Sequence, residues 1–215
     1  MPVSRRSFLR FGVLLAAGTR PARADAARTL GVVVLGPAPP ALAMELAERA
    51  VRGVYGYDVR VVERRALPKR ARYRGTGRPR AEILLEELAR VVPSGVDRIL
   101  GVTAADISTT KPPYPDWGIL GLANLGGRTA VVSSARTRRG THTSREAAQR
   151  FGKVVVHELG HSLGLPHCTV TPGCIMEDAG GTVFATDLER DLCATCRGKL
   201  ASLGHPPDGD GRLPW

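Results

Sequence analysis

The chain has 215 residues, 43% of them hydrophobic but only 5% aromatic, and a formal net charge of +11. Length and composition support one globular domain whose core must be built mostly from Val, Leu, Ile and Ala. A basic balance of this size can indicate nucleic acid, an anionic surface or acidic substrates; no nucleic-acid-binding motif accompanies it, so it reads as a solvated arginine-rich surface with no nucleic-acid partner.

Residues 1–24 read as an export signal. Five arginines (Arg5, Arg6, Arg10, Arg20 and Arg23) lie here, which leaves +6 for the remainder. Ser4-Arg5-Arg6-Ser7-Phe8-Leu9-Arg10 resembles the twin-arginine consensus, residues 11–17 form a modest apolar run, and Ala22-Arg23-Ala24 supplies a small-x-small cleavage pattern before Asp25. The run is too short to span a bilayer. These features predict export by the twin-arginine route to a periplasmic or secreted location, without stable membrane insertion. The alternative is a frayed basic terminus or a misplaced start codon.

The mature chain opens with TLGVVVL, residues 29–35, a continuous β-branched run typical of a buried strand. Residues 41–54 are expected to be helical, with Leu42, Leu46, Ala50 and Val54 at i+4 spacing. Residues 57–62 alternate as a second strand, and 66–77 form a basic, solvated connection. Pro79 can start a helix over 81–92, and residues 96–103 give a third strand. The alternation of strand and helix predicts a mixed sheet with crossover helices. Residues 106–117 contain Pro112, Pro113 and Pro115 and read as a loop. Two further strands, 119–124 and 129–133, flank a Gly126-Gly127 turn. Thr143 and Glu146 form a T-x-x-E capping box that starts a helix, after a basic loop over 136–143. On that helix Phe151, Val155 and Leu159 share one face, so it can pack on the sheet with one side and carry chemistry on another.

The chemistry is concentrated in residues 154–176, VVVHELGHSLGLPHCTVTPGCIM. His157 and His161 are four apart, one turn on one helical face, and can grip one metal ion. Glu158 can activate a water molecule for attack and shuttle its proton. Gly164 can end the helix in a left-handed conformation and swing His167 round as a third nitrogen ligand. Three protein ligands leave one position open, as a catalytic zinc requires. With Met176 downstream, HExxHxxGxxH fits the metzincin form of the motif.

All four cysteines follow this helix: Cys168 directly after His167, Cys174 two before Met176, and Cys193 with Cys196 in a C-x-x-C. HELGHSLGLPHC, then CIM, then CATC, resembles the archaemetzincins, a metzincin family, with single-residue changes in two loop spacings. GLANLGGRTAVVS resembles the family segment before the catalytic helix. The resemblance implies an α/β (α+β) metzincin-like fold over residues 25–205, with a mixed twisted sheet, a long active-site helix and a small cysteine-rich C-terminal subdomain. It implies two zinc ions per chain, one on His157, His161 and His167, the other structural, on Cys168, Cys174, Cys193 and Cys196. It further implies Glu158 as catalytic base and Met176 packed beneath the histidines. An edge strand binding extended peptide by strand addition also follows, with residues 119–125 as the candidate strand and Leu122, Ala123 and Asn124 as its candidate substrate-binding residues; an ordinary core hairpin is the alternative there.

Other readings stay open. The cysteines could form two disulfides, although the C-x-x-C and two cysteines about 20 residues upstream have the spacing of a zinc knuckle. His142 and His205 read as surface residues, and nothing in the sequence supports Tyr114 as a phenol near the cleft. The favoured function is a zinc metallopeptidase acting as a monomer on a peptide or protein substrate. A non-catalytic zinc- or peptide-binding protein is the alternative, against which the intact Glu158 argues; a redox protein built on the C-x-x-C lacks the strand-to-helix setting near an N-terminal half. The tail, 206–215, is rich in Gly and Pro and is expected to be poorly ordered.

Overall fold

A computed structural model describes residues 28–207 and 211–215. The export signal expected over 1–24 lies outside them. Among the described residues no helix is long and apolar enough to cross a membrane.

A twisted five-stranded sheet carries the architecture, in the order β2-β1-β3-β7-β6. These strands are β1 (Thr29–Leu35), β2 (Asp58–Arg65), β3 (Arg98–Thr103), β6 (Gly121–Ala123) and β7 (Thr129–Ser133). The first four in that order run parallel, and β6 pairs antiparallel with β7 along one edge. Both faces are covered, which is why β1 is buried at every position and its apolar residues do not alternate with exposed ones. Leu30, Val32 and Val34 face a core shared with α1 (Ala41–Tyr55) and α3 (Ser144–Ser162), whereas Val33 and Leu35 face a second core under α2 (Ala81–Ala89). Crossover helices were expected from the alternation of elements, and α1 and α2 fill that role.

Three boundaries shift for physical reasons. Strand β2 begins at Asp58 and runs to Arg65, because it pairs with the whole of β1 through a bulge at Val32/Val33. Helix α2 stops at Ala89, where Arg90 and Val91 switch to tighter i→i−3 bonds, donating to the Glu87 and Leu88 carbonyls at 3.3 and 3.1 Å. The expected loop over 106–117 is instead a hairpin of β4 (Ile107–Lys111) and β5 (Tyr114–Ile119). Its prolines occupy the turn and a register irregularity, where no ladder N–H is required.

Residues 211–215, at the end of the tail, are held against the domain. Leu213 and Trp215 pack against the main core, the Leu213 amide donates to Asp191 Oδ1 at 2.9 Å, and Leu192 donates to the Gly211 carbonyl at 3.1 Å. Apolar side chains at its end bind what its glycines and prolines would otherwise leave loose.

Candidate active site

Helix α3 is the scaffold of the site. Thr143 Oγ1 accepts from the Glu146 amide at 3.1 Å while the Glu146 carboxylate accepts from the Thr143 amide, so the capping box forms as a pair. Phe151, Val155 and Leu159 are buried in the core face. That packing leaves His157 and His161 half-buried on the opposite side, where they line a cleft of about 500 Å³. The helix ends at Leu163; Gly164 follows with φ +98°, a conformation that turns the chain back and is strained for any residue with a Cβ.

That turn brings His167 to the other two histidines. Ring centroids are 4.6 Å apart for His157 and His161, 4.8 Å for His161 and His167, and 5.4 Å for His157 and His167. One nitrogen of each lies within 4.8 Å of the others. His157 Nδ1 donates to the Ile175 carbonyl and His161 Nδ1 to the Leu165 carbonyl, both at 2.7 Å. A carbonyl can only accept, so each Nδ1 carries the hydrogen and each Nε2 keeps its lone pair for a metal. Burial and the neighbouring His161 push His157 down to about 4, which keeps it in the neutral form that ligates.

Glu158 is buried at the floor of the cleft, 8% exposed, and burial pushes its carboxyl up to about 8. Strand β6 closes over it. A Cβ on Gly121 would lie 2.6 Å from Glu158 Cγ and 2.8 Å from Oε1, so only glycine lets this edge strand approach so closely. Met176 is fully buried against Gly160, between the two histidines of the helix in sequence, and its carbonyl accepts from the Cys168 amide at 2.7 Å.

The four cysteines form a second cluster behind the first. Cys168 Sγ lies 3.8 Å from Cys193 Sγ, and Cys174 Sγ lies 3.8 Å from Cys196 Sγ; none is in a disulfide. A disulfide would hold its sulfurs about 2.05 Å apart. Two thiolates each about 2.3 Å from a tetrahedral zinc stand about 3.8 Å apart, so the spacing fits metal ligation rather than oxidation. The protonation preferences agree. Burial raises Cys174 and Cys196, whereas at Cys193 hydrogen bonds from the Cys196 amide and from Thr171 overcome burial and lower the thiol. Four such thiols cannot ionise together without a cation among them.

Among the other candidates, Leu122 and Ala123 line the cleft on β6. Asn124 does not: its side chain donates to Thr129 Oγ1 at 3.3 Å, inside the hairpin. Tyr114 is exposed and its ring lies 5.2 Å from Trp117, which lines the cleft in its place. His142 and His205 stand outside both ligand groups. Gly121 lies within the strand expected to line the cleft; sequence reading missed Lys111, Trp117, Asp178 and Glu189, all of which line it. They come from four separate segments, and no local pattern marks them.

Comparison with known proteins identifies the family of the chain. The profile described as Peptidase family M54 matches residues 57–202. An archaemetzincin of Haloquadratum walsbyi is 34% identical over 165 residues, covering 73% of this chain and 91% of that protein. One of Haloarcula marismortui is 35% identical over 159 residues, covering 70% and 87%. The crystal structure of archaemetzincin from Methanopyrus kandleri superposes with a TM-score of 0.71 at 28% identity, covering 85% of this chain and 98% of that one.

Proposed function

This chain belongs to Peptidase family M54, the archaemetzincins, a family of zinc metallopeptidases, and we propose that it hydrolyses peptide bonds with Glu158 as general base beside a zinc ion on His157, His161 and His167. The observation that carries the reading is the tautomer set of the histidine pair. Both Nδ1 atoms donate to backbone carbonyls and both Nε2 atoms are left as ligands, with the buried Glu158 between them in sequence.

A zinc ion held there supplies Lewis acidity, polarising the scissile carbonyl and making water acidic enough to attack near neutral pH. The rest falls to the chain. The free edge of β6 at Leu122 and Ala123 can take up an extended substrate by main-chain hydrogen bonds. Burial alone favours the protonated form of Glu158, and a cation on the histidines would favour its ionised form; as the carboxylate it accepts a proton from the attacking water and returns it to the leaving amine nitrogen as the C–N bond breaks. Its burial beneath Gly121 keeps bulk water from competing for that proton.

A second zinc ion on Cys168, Cys174, Cys193 and Cys196 completes the reading, supported by the two sulfur spacings of 3.8 Å. One copy of the chain supplies every residue of both ligand sets, which favours action as a monomer. The test is metal content measured alongside hydrolysis of an unstructured peptide. Two zinc ions per chain are expected, with hydrolysis lost on chelation and restored by zinc; a fully zinc-loaded protein that cleaves no peptide would favour the binding-protein alternative.

Export by the twin-arginine route belongs to the same proposal and rests on SRRSFLR and the following ARA. A folded, zinc-loaded passenger would protect four thiols from oxidation on arrival. Replacing Arg5 and Arg6 by lysine is expected to strand the precursor in the cytoplasm, and unchanged export would exclude the route.

A further inference from the structure

The charge of the cleft opposes that of the chain. Against a formal net charge of +11 overall, the charged side chains lining the cleft are three acids, Glu158, Asp178 and Glu189, and one base, Lys111. Glu158 is committed to chemistry in the reading above. Glu189 is committed to nothing visible. It is 5% exposed, lines the cleft wall, and its Oε2 is buried without a hydrogen-bond partner among the described residues. A carboxylate in that state is costly to maintain unless a ligand completes it.

The groups around it do not complete it. Lys153 is nearest in charge, but its ammonium donates to the backbone carbonyls of Thr186 and Glu189, each at 2.6 Å. Arg150 is spent on Asp187 in a bidentate pair, 2.7 and 2.6 Å. Glu177 accepts from the Gly173 amide at 2.7 Å, and the remaining neighbour, Asp187, adds like charge. Burial pushes the Glu189 carboxyl up to about 8, with Lys153 opposing the rise and Glu177 and Asp187 adding to it. Lys153 lies four residues before His157 on α3, about 6 Å along the axis. Its two hydrogen bonds therefore fasten the Thr186–Glu189 wall roughly one helical turn from the first metal ligand.

We infer that Glu189 forms the base of a substrate subsite selecting a cationic side chain, lysine or arginine, next to the scissile bond. The inference rests on the peptidase reading for its orientation, but binding tests it independently of turnover. Apolar residues of the same cleft, Val154 and Ile119 among them, can pack on the methylene stem of such a side chain while its charged end meets the carboxylate.

The experiment uses zinc-loaded full chain carrying Glu158→Gln, so that peptides are bound and not consumed. A set of eight-residue peptides is compared in which one position at a time is lysine or norleucine, its uncharged counterpart. At one position lysine is expected to bind ~10- to 100-fold more tightly, with acetyl-lysine falling to the norleucine level. Glu189→Gln, added to that protein, should abolish the ratio while leaving norleucine binding and zinc content unchanged. Equal binding of lysine and norleucine at every position overturns the proposal without needing any further variant. A ratio that survives Glu189→Gln assigns the selectivity elsewhere and overturns it too. If the lysine ratio is present and depends on Glu189 but the parent cleaves none of the peptides, the subsite stands and the peptidase reading fails.

Discussion

Glu158→Gln is expected to lower peptide hydrolysis by ~10²–10⁴-fold, the range typical for loss of a general base, with both zinc ions and the fold retained. Glutamine keeps the size of the side chain and fills the same space beneath β6, so little repacks. It cannot accept the proton of the attacking water. The position tolerates no drift either, because Gly121 holds the edge strand against Glu158 Cγ and Oε1. Gly121→Ala therefore serves as the companion variant. Its Cβ would fall 2.6 Å from Cγ, and β6 is tied to β7 through Gly121↔Val132, so the carboxylate must move rather than the strand. A displacement on the ångström scale can cost roughly 10²-fold in rate. If both changes act on one group, the double variant should be little worse than Glu158→Gln alone. Rates and zinc content of the four proteins decide the matter. Parent-like cleavage by Glu158→Gln would remove Glu158 from the mechanism, and fully multiplicative effects would place Gly121 on a different step.

Replacing Cys168 and Cys196 together by serine is expected to do more damage than its distance from the histidines suggests. Each sulfur pair at 3.8 Å loses one member, and four-coordinate zinc cannot be held. Structural zinc sites in small peptides are worth ~10–16 kcal/mol, comparable to the whole stability of a typical domain, ~5–15 kcal/mol. The α2 face of the sheet keeps a core with no residue from this layer, whereas the α1/α3 core includes Cys168, Ile175, Met176 and Leu200, so the loss should unfold the C-terminal layer first. The catalytic centre would follow, because it hangs on that layer. The Cys168 amide holds the Met176 carbonyl at 2.7 Å, and the carbonyl of Ile175, next to Cys174, orients His157 at 2.7 Å. Expected results are a clear fall in thermal midpoint, rapid hydrogen exchange confined to residues 163–205, and hydrolysis lost along with the cysteine-bound zinc. His161→Ala should differ by giving up only the histidine-bound zinc. Two zinc ions and an unchanged midpoint in the double serine variant would show that the cysteines are a buried thiol cluster and no more.

What the sequence determined by itself was everything set over short range. The unbroken apolar run of β1, the i+4 stripe of α1 and the capping box of α3 follow from local periodicity and local hydrogen bonds, and the structure has each of them. The histidine pair belongs to the same class, since four residues on a helix leave one geometry, and Gly164 with its positive φ is the local cause of the turn that delivers His167. Family membership was legible for that reason: its motifs are contiguous. The tertiary structure alone decided what depends on contacts between distant segments. The prolines of residues 112–115 read as a loop, but pairing of Ile107 with Ile119 makes them the turn and irregularity of a hairpin. The tail looked loose until Trp215 met Gly152 on α3. Spacing could propose four cysteine ligands, but only the fold sets Cys168 beside Cys193 and Cys174 beside Cys196. Gly121 lies over Glu158 from 37 positions away, and Glu189, whose Oε2 has no hydrogen-bond partner among the described residues, lines the same cleft as His157 from 32 positions away. No periodicity encodes such contacts, because packing, and not chain proximity, brings them together.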